Sequence, residues 1–169
     1  NAQLLEGTAL EGSQSALAIG SSQVENLVDQ STGGFGAALL KSTNLLNSET
    51  AARMNVLSDL IALCGQQQQS KACDQLLALT NSDNTLSAMT SIARLPWKNA
   101  GELYQLFQSS YPINKATELR TTATAPYLLF QPKSFSLSLV FDGGGALALG
   151  KLMFDGKGSM WSGTNWMPG

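Results

Sequence analysis

The apolar residues of this chain change period partway along. Between Met54 and Phe107 they recur every three or four residues, whereas from Phe135 to Phe154 they largely alternate with small or polar ones. The first spacing draws a stripe along an α-helix and the second fills one face of a strand. The pattern predicts an α+β fold, with a small array of about five to six helices followed by a few antiparallel strands. At 169 residues and 43% hydrophobic content, the chain has material enough for a core.

Leu10, Leu17 and Val24 stand seven apart, with Leu27 and Val28 after them, which lays an apolar seam along a first helix. Gly7, Gly12 and Gly20 weaken that helix by about 1 kcal/mol each relative to alanine, so it needs a partner surface. Residues 1–34 are therefore read as a partner-binding N-terminal helix, ended by Gly33-Gly34. Residues 35–115 are read as a disulfide-clipped helical domain. Phe35, Leu39, Leu40 and Leu46 keep helical spacing up to Asn47-Ser48-Glu49, a cap signal for the helix that follows.

In that helix Met54, Leu57, Leu60, Ile61 and Cys64 form an apolar face opposite Arg53, Asn55, Ser58 and Asp59, and Gly65 stops it. Cys73, Leu76, Leu77 and Thr80 begin another, closed by the turn residues 81–84. Leu86, Met89, Ile92 and Ala93 make a third that ends near Leu95, because Pro96 disfavours helix in the residue before it. Asn99 with Glu102 resembles a capping box for a fourth, which carries Leu103, Leu106 and Phe107 towards Tyr111-Pro112.

Residues 116–134, with Thr121, Thr122, Thr124 and Pro126, have the composition of a linker and a first extended segment. Residues 135–169 are read as strands. Phe135, Leu137, Leu139 and Phe141 alternate with Ser134, Ser136, Ser138 and Val140, and a second run through Leu147, Leu149, Leu152 and Phe154 leads to Met160, Trp161 and Trp166.

No histidine is present, which removes the commonest general base and the usual metal ligand. The Asp142-Gly-Gly-Gly and Asp155-Gly-Lys-Gly stretches lack the Gly-Lys-Ser/Thr of a phosphate loop and the alternating acids of a calcium loop, so they read as turns. The acidic residues are scattered over polar faces and caps, and no catalytic, metal or cofactor site is expected. Ten basic against twelve acidic residues, without a basic stripe, argue against a nucleic-acid partner. Trp97, Trp161 and Trp166 suit buried or interface packing better than a sugar or peptide site.

Cys64 and Cys73 each sit at a helix end facing a polar loop. A disulfide would stabilise by about 2 to 3 kcal/mol in the chain-entropy model and is the preferred reading. Two reduced core thiols, or a redox or metal pair, are the alternatives. Charged residues make up only 13% of the chain, which suits an extracellular coat, and no apolar run is long enough to span a bilayer. A start at Asn1 without methionine fits a secreted or cell-surface protein whose signal peptide has been removed.

Two blocks carry a resemblance. One runs from Leu57-Ser-Asp-Leu-Ile-Ala-Leu-Cys64 through Cys73-Asp-Gln-Leu-Leu and Thr85 to Pro96 into Asn99-Ala-Gly-Glu-Leu-Tyr-Gln-Leu-Phe107. The other is Phe135-Ser-Leu-Ser-Leu-Val-Phe, the glycine-rich turn and Leu152-Met-Phe-Asp-Gly-Lys-Gly-Ser-Met-Trp161. Together, over residues 50 to 166, they resemble a bacterial family of secreted proteins in which a small helical region precedes an NHL-type β-propeller. The resemblance implies that the helical region is an accessory to the propeller, with no catalytic residues to carry over.

A propeller needs several four-stranded blades, and this sequence holds the opening strands of one. The complement must then come from the remaining propeller chain or from other copies of the protein. On the first reading the chain is a non-catalytic interaction segment of a propeller protein. On the second it is a self-assembling filament or surface-layer subunit, a homo-oligomer or polymer joined by strand addition and helix packing. In both, Leu10, Leu17, Val24, Phe135, Leu137, Leu139, Phe141, Trp161 and Trp166 are the expected contact residues. A lyase-like activity, of the kind some propellers carry, is a third and weaker reading.

Overall fold

A computed structural model describes residues 5–6, 9–65, 70–120, 122–140, 149–156 and 159–164. Its elements are β1 (Leu5–Glu6), β2 (Ala9–Leu10), α1 (Gln14–Leu27), α2 (Ser42–Leu45), α3 (Thr50–Ala62), α4 (Ser70–Thr80), α5 (Thr85–Arg94), α6 (Ala100–Ser110), β3 (Ile113–Asn114), β4 (Leu119–Arg120), β5 (Leu149–Phe154) and β6 (Met160–Thr164). The strands pair antiparallel in three separate two-stranded sheets, β1 with β2, β3 with β4 and β5 with β6. This is the α+β class that the two periodicities predict. The chain divides into two compact units, residues 49–138 and residues 3–48 with 139–169.

In residues 49–138 the core is built on α6, whose Ala100, Leu103, Tyr104 and Phe107 follow the i, i+3, i+4, i+7 stripe and are all buried. Val56 and Leu60 of α3, Leu76 of α4 and Ile92 of α5 pack into the same cluster, with Leu63, Tyr111, Leu128 and Phe135. Each large apolar side chain removed from water contributes about 1.5 to 3 kcal/mol. Helix α5 buries Ala88 and Ile92, leaving Leu86 and Met89, expected on its apolar face, exposed. Its start is fixed by Asn84, whose side chain accepts the Ser87 N–H at 3.0 Å. Helix α4 ends on Asn81 in the left-handed region (φ 51°), with the Ser82 N–H returning to the Leu77 carbonyl.

Three sequence expectations are corrected in this unit. The Asn99–Glu102 capping box does not form: Asn99 is left-handed and its amide donates to the Leu79 carbonyl at 2.7 Å, which ties α6 to α4. Asn55 and Asp59, expected on the solvent face of α3, are buried. The reason is the third correction, because residues 122–134 do not act as a linker. They pack along the helices and need hydrogen bonds there. Asp59 accepts from the Thr124 N–H (2.8 Å) and hydroxyl (2.7 Å), Asn55 donates to the Pro126 carbonyl (2.9 Å), and the Tyr104 hydroxyl donates to the Leu128 carbonyl (3.0 Å).

Residues 135–138 also fold onto these helices and form no strand. The Phe135 N–H donates to the Pro96 carbonyl, the Arg53 guanidinium to the Ser136 carbonyl and the Thr50 hydroxyl to the Ser138 carbonyl. Helix side chains thus take carbonyls that a neighbouring strand would otherwise bind. Of the alternating residues in this stretch, Phe135 enters the helical core while Leu137 stays exposed.

In the other unit α1 begins at Ser13, whose hydroxyl accepts the Ala16 N–H, so Leu10 lies in β2 and off the helical seam. The helix predicted from Phe35 is reduced to the four residues of α2 because residues 28–41 form a loop instead. Val28 bridges Phe35, and the Gly36 N–H reaches the Leu27 carbonyl. A Cβ on Gly36 would lie 2.2 Å from the Glu25 carbonyl oxygen, so only glycine permits that approach. Within the loop Asp29 accepts from the Ser31 hydroxyl and N–H and from the Thr32 hydroxyl. Asn44, fully buried, binds both backbone groups of Val140, accepting its N–H at 2.7 Å and donating to its carbonyl at 2.8 Å.

Two outcomes are expected. Phe107→Ala should cost about 3 to 5 kcal/mol in chemical denaturation, whereas Met89→Ala, at an exposed site, should stay within about 0.5 kcal/mol. The Ser31 and Thr32 hydrogen bonds lower the Asp29 pKa from 3.8 to about 2. Since the folded value is the lower one, this contribution is complete above pH 3.8 and fades as pH falls through 2. A carboxyl titration by NMR with its midpoint at the ordinary value would contradict that loop geometry.

Candidate protein-interaction surfaces

Both cysteines are joined to each other. The Cys64–Cys73 disulfide (S–S 1.99 Å) ties the 3-10 turn that follows α3, Leu63–Gly65, to the first turns of α4, and no free thiol remains. With no histidine in the chain, general acid–base chemistry would rest on carboxylates. Among the described residues no group of three or more Cys, Asp or Glu side chains is arranged to hold a metal, and no helix is long and apolar enough to cross a membrane. An open groove of about 620 Å³ runs between α4 and α6, lined by Gln75, Leu79, Asn99, Glu102, Gln105 and Ser109. Its polar groups can hydrogen-bond a ligand, but Glu102 is the single carboxylate lining it.

The β5–β6 hairpin has a different character. Its register sets Met153 opposite Trp161 and Phe154 opposite Met160. Residues directly opposite in an antiparallel pair project from the same face. Met153 and Trp161 are 68% and 64% exposed, so this face carries a large uncovered apolar pair. The turn is organised by Asp155, whose carboxylate accepts the Ser159 N–H and the Trp161 indole N–H, each at 2.9 Å. These bonds fix the tryptophan beside the turn. Neither strand pairs with a third among the described residues, leaving two open edges.

The expected contact residues are distributed as follows. Leu17 and Val24 lie on α1, half-buried, and that helix has no fully buried residue. Leu10 belongs to β2. Phe135 is buried in the helical core, Leu137 is exposed in the same unit, and Leu139 is half-buried in the other unit. Trp161 is exposed on β6; Phe141 and Trp166 lie outside the described residues. Trp97, expected to be packed, is 64% exposed. Sequence reading missed Leu129 and Phe130, which are 72% and 81% exposed. It also missed the hydrogen-bonding roles of Asn44, Thr50, Asn55 and Asp59. An i, i+4 repeat of short polar residues beside Val56 and Leu60 was the available signal for Asn55 and Asp59.

Comparison with protein-family models, with characterised proteins and with solved structures finds no match.

Asp155→Ala should free the Trp161 indole. In the native protein its N–H is expected to exchange more slowly with solvent than in the variant, where that protection should disappear without a change in the melting of residues 49–138. Unchanged indole exchange would show that the Asp155 bond does not hold the ring.

Proposed function

We propose that this chain is a non-catalytic interaction segment of a secreted protein, in which a disulfide-clipped helical unit accompanies the first strands of an NHL-type β-propeller blade. The observation that carries the reading is the β5–β6 hairpin, with its exposed Met153–Trp161 pair and, among the described residues, two unpaired edges. A lone two-stranded hairpin is marginal in water, and three or more strands with a covered face are needed for independent stability. Further strands of a blade would bind its edges and cover its face. The disulfide and the low charge content support an extracellular setting. The absence of histidine, and the lack among the described residues of a converging set of acids, support a role without catalysis.

Self-assembly is the second reading, and the same open edges favour it, because strand addition between copies would also complete the hairpin. The two readings separate by mass and stoichiometry. The propeller reading predicts that the protein isolated from its source is a longer polypeptide with further four-stranded repeats, and that the present chain is monomeric in light scattering. Concentration-dependent multimers of this chain would favour assembly. A native protein of this length that stays monomeric with a protected hairpin would overturn both.

A further inference from the structure

We propose that the helical unit docks on an anionic lipid surface through two adjacent loops, residues 95–98 and 129–133. This proposal stands apart from the propeller reading and uses only residues of the 49–138 unit. Residues 128–135 run antiparallel to residues 96–104: the Tyr104 hydroxyl donates to the Leu128 carbonyl, the Gln131 amide lies 2.9 Å from where a Cβ on Gly101 would stand, and the Phe135 N–H donates to the Pro96 carbonyl. The two loops are therefore neighbours. Leu128, Pro132 and Phe135 are buried on either side of the second loop, so Leu129 and Phe130 cannot turn inward without unseating them. Leu95, Trp97, Leu129 and Phe130 are exposed by 41%, 64%, 72% and 81%.

Charge selects the partner. Residues 84–101 and 119–138 contain Arg94, Lys98, Arg120 and Lys133 and no Asp or Glu, and Glu102, the next residue, lines the α4–α6 groove. Arg120 is buried, while Lys98 and Lys133 are exposed beside the apolar side chains. Exposed Trp, Phe and Leu next to lysines match the headgroup region of a bilayer, where aromatic rings lodge at the polar–apolar boundary and cations meet anionic headgroups. A fluid headgroup layer adapts to irregular loops, whereas a protein would need a cavity shaped to each ring. The groove between α4 and α6 shares none of these side chains.

Co-sedimentation of the full chain with vesicles tests the proposal. Binding is expected to vesicles containing phosphatidylglycerol, to be much weaker with phosphatidylcholine alone, and to fall with added salt. The double variant W97S/F130S should bind about tenfold or more weakly, and K98E/K133E should lose the preference for anionic vesicles. All four positions are exposed, so melting temperature and disulfide content should match the native protein and confirm folding. Failure to bind anionic vesicles would overturn the proposal, as would equal binding to both vesicle types or binding unaffected by W97S/F130S. Capture of a protein partner through Trp97 and Phe130 without any vesicle binding would overturn it in favour of a protein interface.

Discussion

Residues 122–138 form no regular helix or strand, yet they cross the face of a helical core, and their backbone polar groups must find partners there. An unsatisfied buried carbonyl or N–H costs about 1 to 3 kcal/mol, enough to eject the segment if several went unmet. Side chains of α3 and α6 meet the demand: Asn55 at Pro126, Asp59 at Thr124, Tyr104 at Leu128, Arg53 at Ser136 and Thr50 at Ser138. These bonds let Leu128 and Phe135 complete the core around Phe107. Polar residues inside this unit are thus a condition for its apolar packing.

Arg120 shows the same logic with a charge. It is buried over the rings of Phe107 and Tyr127, 5.1 and 5.7 Å from their centroids, and its guanidinium donates to the Tyr111 carbonyl. Its Nε has no partner. Tyr111 in turn donates its hydroxyl to the Asp59 carbonyl, and the Tyr127 hydroxyl accepts the Arg120 N–H. Helix α3, the end of α6, Arg120 and Tyr127 are joined by this chain of contacts. Among the described residues no equivalent is seen around β5 and β6, whose Met153 and Trp161 face solvent.

The helices of residues 49–138 were legible in the sequence because their apolar spacing, the Asn84 cap and Pro96 all act locally, and the cysteine pair followed from two helix ends facing one loop. What escaped was decided by distant partners. Asn55 and Asp59 look like surface residues until residues 124–126 lie across them. Thr and Pro read as a linker, although Thr124 and the Pro126 and Leu128 carbonyls have helix side chains to bind. The alternation after Phe135 matches a strand in period, but Arg53 and Thr50, more than eighty residues earlier, capture the carbonyls that a sheet would use. The exposed Leu129 and Phe130 had no local signature at all.

Native-state amide hydrogen exchange on the monomeric chain tests the contrast between the two parts most directly. Amides of α3, α6 and Thr124 should exchange only through global unfolding of their unit, while those of β5 and β6 should exchange orders of magnitude faster. Protection of the hairpin equal to that of α6, in a chain verified to be monomeric, would show that β5 and β6 need no further polypeptide and would contradict the account.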